Sequence, residues 1–188
     1  AEDGDTIYVM SDLTMTDSAR YWNKKLTITS GEGGPYTVTR GEFNKGSAHD
    51  SARSWYNPAM IEVGGSSYTL ESSLTLENII LDDAGLRGGD TSTDETEDKV
   101  YFIQAASKSA GDTNYGKTIF GDLTISNTDI VQDAMIATYN NTATITLGAG
   151  AVLKNYGGMS AVRISGGVLN MLDDSAICDD LEDFTRSK

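Results

Sequence analysis

The chain has one cysteine, Cys178, and one histidine, His49. A single thiol builds no disulfide framework, and one thiol with one imidazole builds no Cys/His metal centre. His49 stands in a segment without a motif around it, which argues against a His-based catalytic triad. Proline is nearly absent, at 2 residues, so the turns fall to 20 glycines and to Asn and Asp. Basic side chains are few, 14 Lys and Arg against 28 Asp and Glu, for a net charge of −14. No basic stripe can be drawn on such a chain, so nucleic acid is not an expected partner. No run of about 18 apolar residues exists, so membrane insertion is not expected either. Neither a phosphate-cradling G-x-x-x-x-G-K-[ST] nor a G-x-G-x-x-G opening a helix is present. No secretory leader is visible: the chain opens Ala1-Glu-Asp-Gly-Asp-Thr6 and is in a strand pattern by Ile7. It reads as a mature product or an excised piece, which leaves its compartment open.

What is abundant is threonine, 21 residues, with 18 serines. Thr is a strand former. Helical periodicity is nearly missing, while period-2 alternation recurs in pieces of three to five residues. These include Thr6–Met10, Leu26–Thr29, Tyr36–Thr39, Met60–Val63, Ser73–Leu76, Ile79–Leu81 and Val100–Ile103. They continue with Lys117–Phe120, Leu123–Ile125, Met135–Thr138, Ala143–Leu147, Ala151–Leu153, Ala161–Ile164, Val168–Leu172 and Ala176–Cys178.

Internal repetition narrows the architecture. Leu74-Thr-Leu-Glu-Asn78-Ile-Ile-Leu81 aligns with Leu123-Thr-Ile-Ser-Asn127-Thr-Asp-Ile130. Ala59-Met-Ile-Glu aligns with Ala134-Met-Ile-Ala, and Leu147–Leu153 with Leu172–Cys178 at an offset of 25. With Leu26, Leu74, Leu123, Ile145 and Asn170 as anchors, the short spacings define a unit of about 22–25 residues, and the long ones are that unit enlarged by a loop. Two such loops are expected, at 42–58 and 87–98. A unit of this length made of three short strands is one coil of a parallel β-helix. Leu26, Leu74, Leu123 and Ile145 then form one inward column, and Ile28, Leu76, Ile125 and Leu147 a second. Thr27, Thr75, Thr124 and Thr146 form an outward one. Asn78 and Asn127 fall at the same turn, where Asn tolerates the left-handed conformation and can bond its copy in the next coil. Cys178 aligns with Leu153 as a small coil residue, and Tyr21, Trp22, Trp55 and Tyr56 fall outside the columns.

The run Asp3-Gly-Asp-Thr-Ile-Tyr-Val9 resembles the opening of bacterial secreted and surface β-helix domains. Ser73–Asp82, Ala143–Asn155 and Ser165-Gly-Gly-Val-Leu-Asn-Met171 resemble their repeating coils. The resemblance spans nearly the whole chain apart from the two loops and the tail. It implies an all-β, right-handed parallel β-helix (a solenoid) of about five to six coils, 1–188 forming one domain cut from a larger surface protein. The family is the pectate-lyase-like superfamily in its adhesin-like, often Gram-positive, branch. The motifs specify a fold and not an activity, because this fold carries lyases, hydrolases, adhesins and stalks.

The expected role is a non-catalytic module of a secreted or cell-surface protein, in adhesion, in binding a glycan or a host or bacterial surface protein, or as a stalk. The alternative is a polysaccharide lyase or glycoside hydrolase acting through carboxylates in a lateral groove. For that chemistry Asp82, Asp83 and Arg87 are the candidates, set against solvated turn acids. Adjacent strand residues point to opposite faces, so Asp82 and Asp83 do not by themselves converge on one substrate. Asp90, Asp94, Glu95, Glu97 and Asp98 crowd one loop with oxygen donors, a weak Ca²⁺ candidate set against a mobile acidic loop. Phe43, Arg53, Trp55 and Tyr56 gather aromatic faces and a cation in the other loop, a contact surface for sugars or acidic partners. The bland reading of these aromatics is a lid on the side of the stack. Finally, a β-helix has open strand edges at both ends, so flanking sequence or end-to-end self-association is expected.

Overall fold

The computed structural model describes residues 1–16, 19–22, 24–41, 59–64, 72–84, 101–105, 121–132, 135–138, 143–155, 161–164 and 166–178. Among them the chain is all-β, with every strand pairing parallel, in three sheets. The first sheet contains β1 (Thr6–Val9), β4 (Lys25–Ser30), β7 (Ser73–Glu77), β10 (Asp122–Ser126), β13 (Thr144–Leu147) and β16 (Val168–Met171), in that spatial order. The second contains β2 (Leu13–Met15), β5 (Thr37–Arg40), β8 (Ile80–Asp82), β11 (Asp129–Gln132), β14 (Val152–Asn155) and β17 (Ala176–Cys178). The third contains β3 (Ala19–Trp22), β6 (Ile61–Gly64), β9 (Tyr101–Ala105), β12 (Met135–Thr138) and β15 (Val162–Ile164). Each strand therefore pairs with the third strand after it, and the chain visits the three sheets in rotation. That connectivity is compatible with a parallel β-helix. No helix among the described residues is long and apolar enough to cross a membrane.

The register shows why these short segments hold together. Leu26 pairs with Leu74, Leu74 with Leu123, Leu123 with Ile145 and Ile145 with Leu169. Two residues on, Ile28, Leu76, Ile125, Leu147 and Met171 form the next column. Both columns are buried up to Leu147 and belong to the core with Val38, Leu81, Ile130 and Leu153 of the second sheet and Ile61, Ile103 and Ile136 of the third. A fully buried Leu or Ile contributes roughly 1.5–3 kcal/mol, so each circuit stands on its neighbours and not on its own few contacts. Between the two columns, Thr6, Thr27, Thr75, Thr124 and Thr146 stack in register. From Thr27 onward these threonines are half-buried on the outer face. They are β-branched residues in a pleated surface ladder, and their abundance needs no ligand to explain it.

The same threonines, ending on Asn170, show successive circuits of 21, 48, 49, 22 and 24 residues. The two long ones are single circuits with inserted segments. The last spacing corrects two expectations. Leu169, not Asn170, continues the Leu26 column, and Cys178 pairs with Lys154, not with Leu153. The apparent offset of 25 is 24, and in a strand a slip of one residue exchanges the two faces. Tyr21 and Trp22 also do not lie outside the repeat. They end β3, in register with Val63 and Gly64. Trp55, Tyr56 and the expected strand Lys117–Phe120 lie outside the described residues.

The corner between the first and second sheets has a common conformation. Asn78, Asn127, Gly150 and Asp174 all take positive φ, at 50°, 44°, 72° and 65°. The Asn78 N–H donates to the Ser126 carbonyl and the Asn127 N–H to the Ala149 carbonyl, which stacks the first three directly. Asn127 Nδ2 also donates to Asn78 Oδ1 at 3.3 Å. Left-handed backbone disfavours most side chains, and Asn, Gly and Asp are the residues that tolerate it. Aspartates at strand entrances fasten one circuit to the next. Asp3 Oδ1 accepts the Lys25 N–H at 2.7 Å, Asp12 Oδ1 the Thr37 N–H at 2.8 Å, and Asp122 Oδ1 the Thr144 N–H at 2.8 Å.

Candidate functional site

The corner between the second and third sheets differs from the first. Here the alternation that buries Val38 and Leu81 runs on for one more inward position in these two circuits, and that position carries a charge. In β5 it is Arg40, only 2% exposed, and just beyond β8 it is Asp83, fully buried. Thr39 pairs with Asp82, so Arg40 and Asp83 are neighbours on the next rung. The backbone is anchored there by the Gly41 N–H donating to the Met15 carbonyl at 2.7 Å and the Asp83 N–H donating to the Val131 carbonyl at 3.0 Å. Further along the same edge, Gln132 pairs with Asn155. The last inward rung of this sheet is thus charged in two successive circuits, whereas the inward position before it, Val38 and Leu81, is apolar.

Burial lowers the Arg40 guanidinium from its ordinary value to about 10, and the Asp83 carboxylate acts in the opposite direction by favouring the charged form. Two opposite charges on one buried rung stabilise each other's ionised state, and each is costly without the other. Glu62, on β6 across the corner, is a third buried charge at 1% exposure. It lies in register with Arg20 on one side and Gln104 on the other.

Of the carboxylates with candidate chemistry, Asp82 is on the outer face, and its Oδ1 accepts the Ala84 N–H at 2.8 Å, a local turn contact. Asp83 is inside. The adjacent acids are therefore separated by the sheet and offer no shared face to a substrate. Arg87 lies outside the described residues, as do Phe43, Arg53, Trp55 and Tyr56, and so do Asp90, Asp94, Glu95, Glu97 and Asp98. Among the described residues there is no group of three or more His, Cys, Asp or Glu able to hold a metal ion. Arg40 was not singled out as a functional residue from the sequence. The signal was present, because the alternation of Thr37-Val38-Thr39-Arg40 puts Arg40 on the Val38 side.

Two inserted segments share a corner of the stack. Residues 42–58 connect β5 to β6, and residues 85–100 connect β8 to β9. They make the same passage, from second sheet to third, in successive circuits. They leave from adjacent strands at Arg40 and Asp83 and rejoin adjacent strands, where Ile61 pairs with Ile103. Compared with known proteins, the chain matches no family model, no curated protein and no solved structure.

Proposed function

We propose that the chain is a right-handed parallel β-helix working as a non-catalytic binding module of a secreted or cell-surface bacterial protein. Its ligand would be a glycan or a surface protein, contacted from the 42–58 segment. The observation that carries the reading is that the 42–58 and 85–100 segments leave the stack at the same corner in successive circuits. A repetitive scaffold presents its chemical variety where the chain leaves the repeat, and long insertions are more often contact surfaces than connectors. The right hand follows from the parallel crossovers within each sheet, which take that hand almost without exception. The separation of Asp82 from Asp83 by the sheet weighs against a two-carboxylate mechanism at this turn, and the Arg40–Asp83 rung has the character of a structural clamp beneath the insertions.

A glycan array with the intact protein and its Trp55→Ala variant tests the reading. The expected result is a ligand bound by the wild type and lost in the variant, with the melting temperature within a few degrees of wild type. A variant that unfolds makes Trp55 a structural lid and removes the best-placed contact residue. Cleavage of an acidic polysaccharide by the wild type would replace this reading with the lyase or hydrolase alternative.

A further inference from the structure

Among the described residues three charged side chains are buried, and two of them, Arg40 and Asp83, stand where the chain leaves the stack. The backbone donors at these two roots point away from each other. The Gly41 N–H donates to the Met15 carbonyl in the circuit before, and the Asp83 N–H to the Val131 carbonyl in the circuit after. The last register pair between the two strands is Thr39 with Asp82. One residue further on, the charged pair itself spans the corner, buried where water does not substitute for either partner. The second root is also strained, because Ala84 takes a φ of 55°. Unlike Asn, Gly or Asp at the first corner, Ala has a Cβ and no polar atom to favour that conformation, so it is held from outside the residue. Asp82 Oδ1 holds it by accepting the Ala84 N–H at 2.8 Å, with Asp83 fixed in the interior between them.

Neither root moves outward without stranding the other root's charge in the interior. We infer that the Arg40–Asp83 pair couples the two insertions, so that residues 40–41 and 82–84 open together as one unit and not as two. The coupling is reciprocal by linkage: whatever steadies one root steadies the other by the same factor. A ligand held by either insertion is therefore felt at the base of the other, whatever the chemistry of that ligand. The first sheet, whose inward columns are apolar and continuous, stays outside this unit.

Native-state hydrogen exchange reads both roots through the Gly41 and Asp83 amides. The Asp122 amide of the first sheet, bonded to the Ser72 carbonyl, serves as control. In the wild type, Gly41 and Asp83 are expected to show protection within about threefold of each other and the same dependence on denaturant. The deciding variant is Ala84→Gly, which relieves the left-handed strain without touching either charge. It is expected to raise protection roughly fivefold at Asp83 and equally at Gly41, and to leave Asp122 unchanged. With Arg40→Leu/Asp83→Leu as background, after circular dichroism confirms that it folds, the gain at Gly41 is expected to disappear while that at position 83 remains. Different denaturant dependences at the two roots of the wild type overturn the inference, and so does a gain from Ala84→Gly confined to Asp83. An equal gain at Asp122 also overturns it, since the roots would then open only with the whole fold. A gain at Gly41 that survives in the double variant overturns it by assigning the coupling to the backbone and not to the charges.

Discussion

Asn78, Asn127, Gly150 and Asp174 have different side chains and one backbone task, a left-handed corner repeated from circuit to circuit. The residue type at such a position is set by conformation and not by a ligand, which is why these polar residues carry no functional argument. Arg40 and Asp83 make the contrasting case, since their types are set by each other. Removing one partner leaves a charge stranded in the interior, whereas removing both leaves an apolar rung. Asp83→Ala is expected to cost about 3–5 kcal/mol of stability. The double variant Arg40→Leu/Asp83→Leu is expected to lose much less, which gives a large coupling in a double-mutant cycle measured by denaturant unfolding. Additive losses would mean that the two charges do not act as a pair. The divergence of Asp82 and Asp83 was legible from strand alternation alone. The importance of Arg40 was not, because its partner stands 43 positions away and is adjacent only through the stacking register.

Among the elements, those with two apolar residues on one face were readable from sequence. β4, β7, β10 and β13 each alternate fully, and their columns fall as the alternation predicts. β2, β3 and β11 were not anticipated. Leu13-Thr-Met15 is short and follows a Ser-Asp turn, Ala19-Arg-Tyr-Trp22 begins on a small residue, and Asp129-Ile-Val-Gln132 has a polar residue at each end. Such segments become strands because a neighbouring circuit offers an edge in register, a tertiary cause that local pattern does not encode. The slip of one residue near the C-terminus has a related origin. Aligning Leu153 with Cys178 matched apolar endings, while the left-handed positions Gly150 and Asp174 are 24 apart and fix the true offset. The inward and outward assignments can be tested within one element. Leu123→Asp or Ile125→Asp buries an unpaired carboxylate and is expected to cost about 4 kcal/mol or more, whereas Thr124→Ser on the outer face costs about 0.5 kcal/mol or less. Similar losses at neighbouring positions would contradict the facing of β10.

On the scale of the whole molecule, the claim on which the rest depends is that residues far apart in sequence occupy successive rungs of one stack. Thr6 and Thr146 are joined by four parallel pairings, through Thr27, Thr75 and Thr124. At about 4.8 Å per pairing, their backbones should lie about 19 Å apart despite the long inserted segments between them. With Cys178 replaced by Ser, spin labels at Thr6→Cys and Thr146→Cys report this separation by pulsed dipolar spectroscopy, in protein diluted with unlabelled chain to suppress contacts between copies. The expected result is one narrow distance distribution near that value, broadened only by the label linkers. A broad distribution, or one centred beyond about 30 Å, would show that the circuits do not stack in this order.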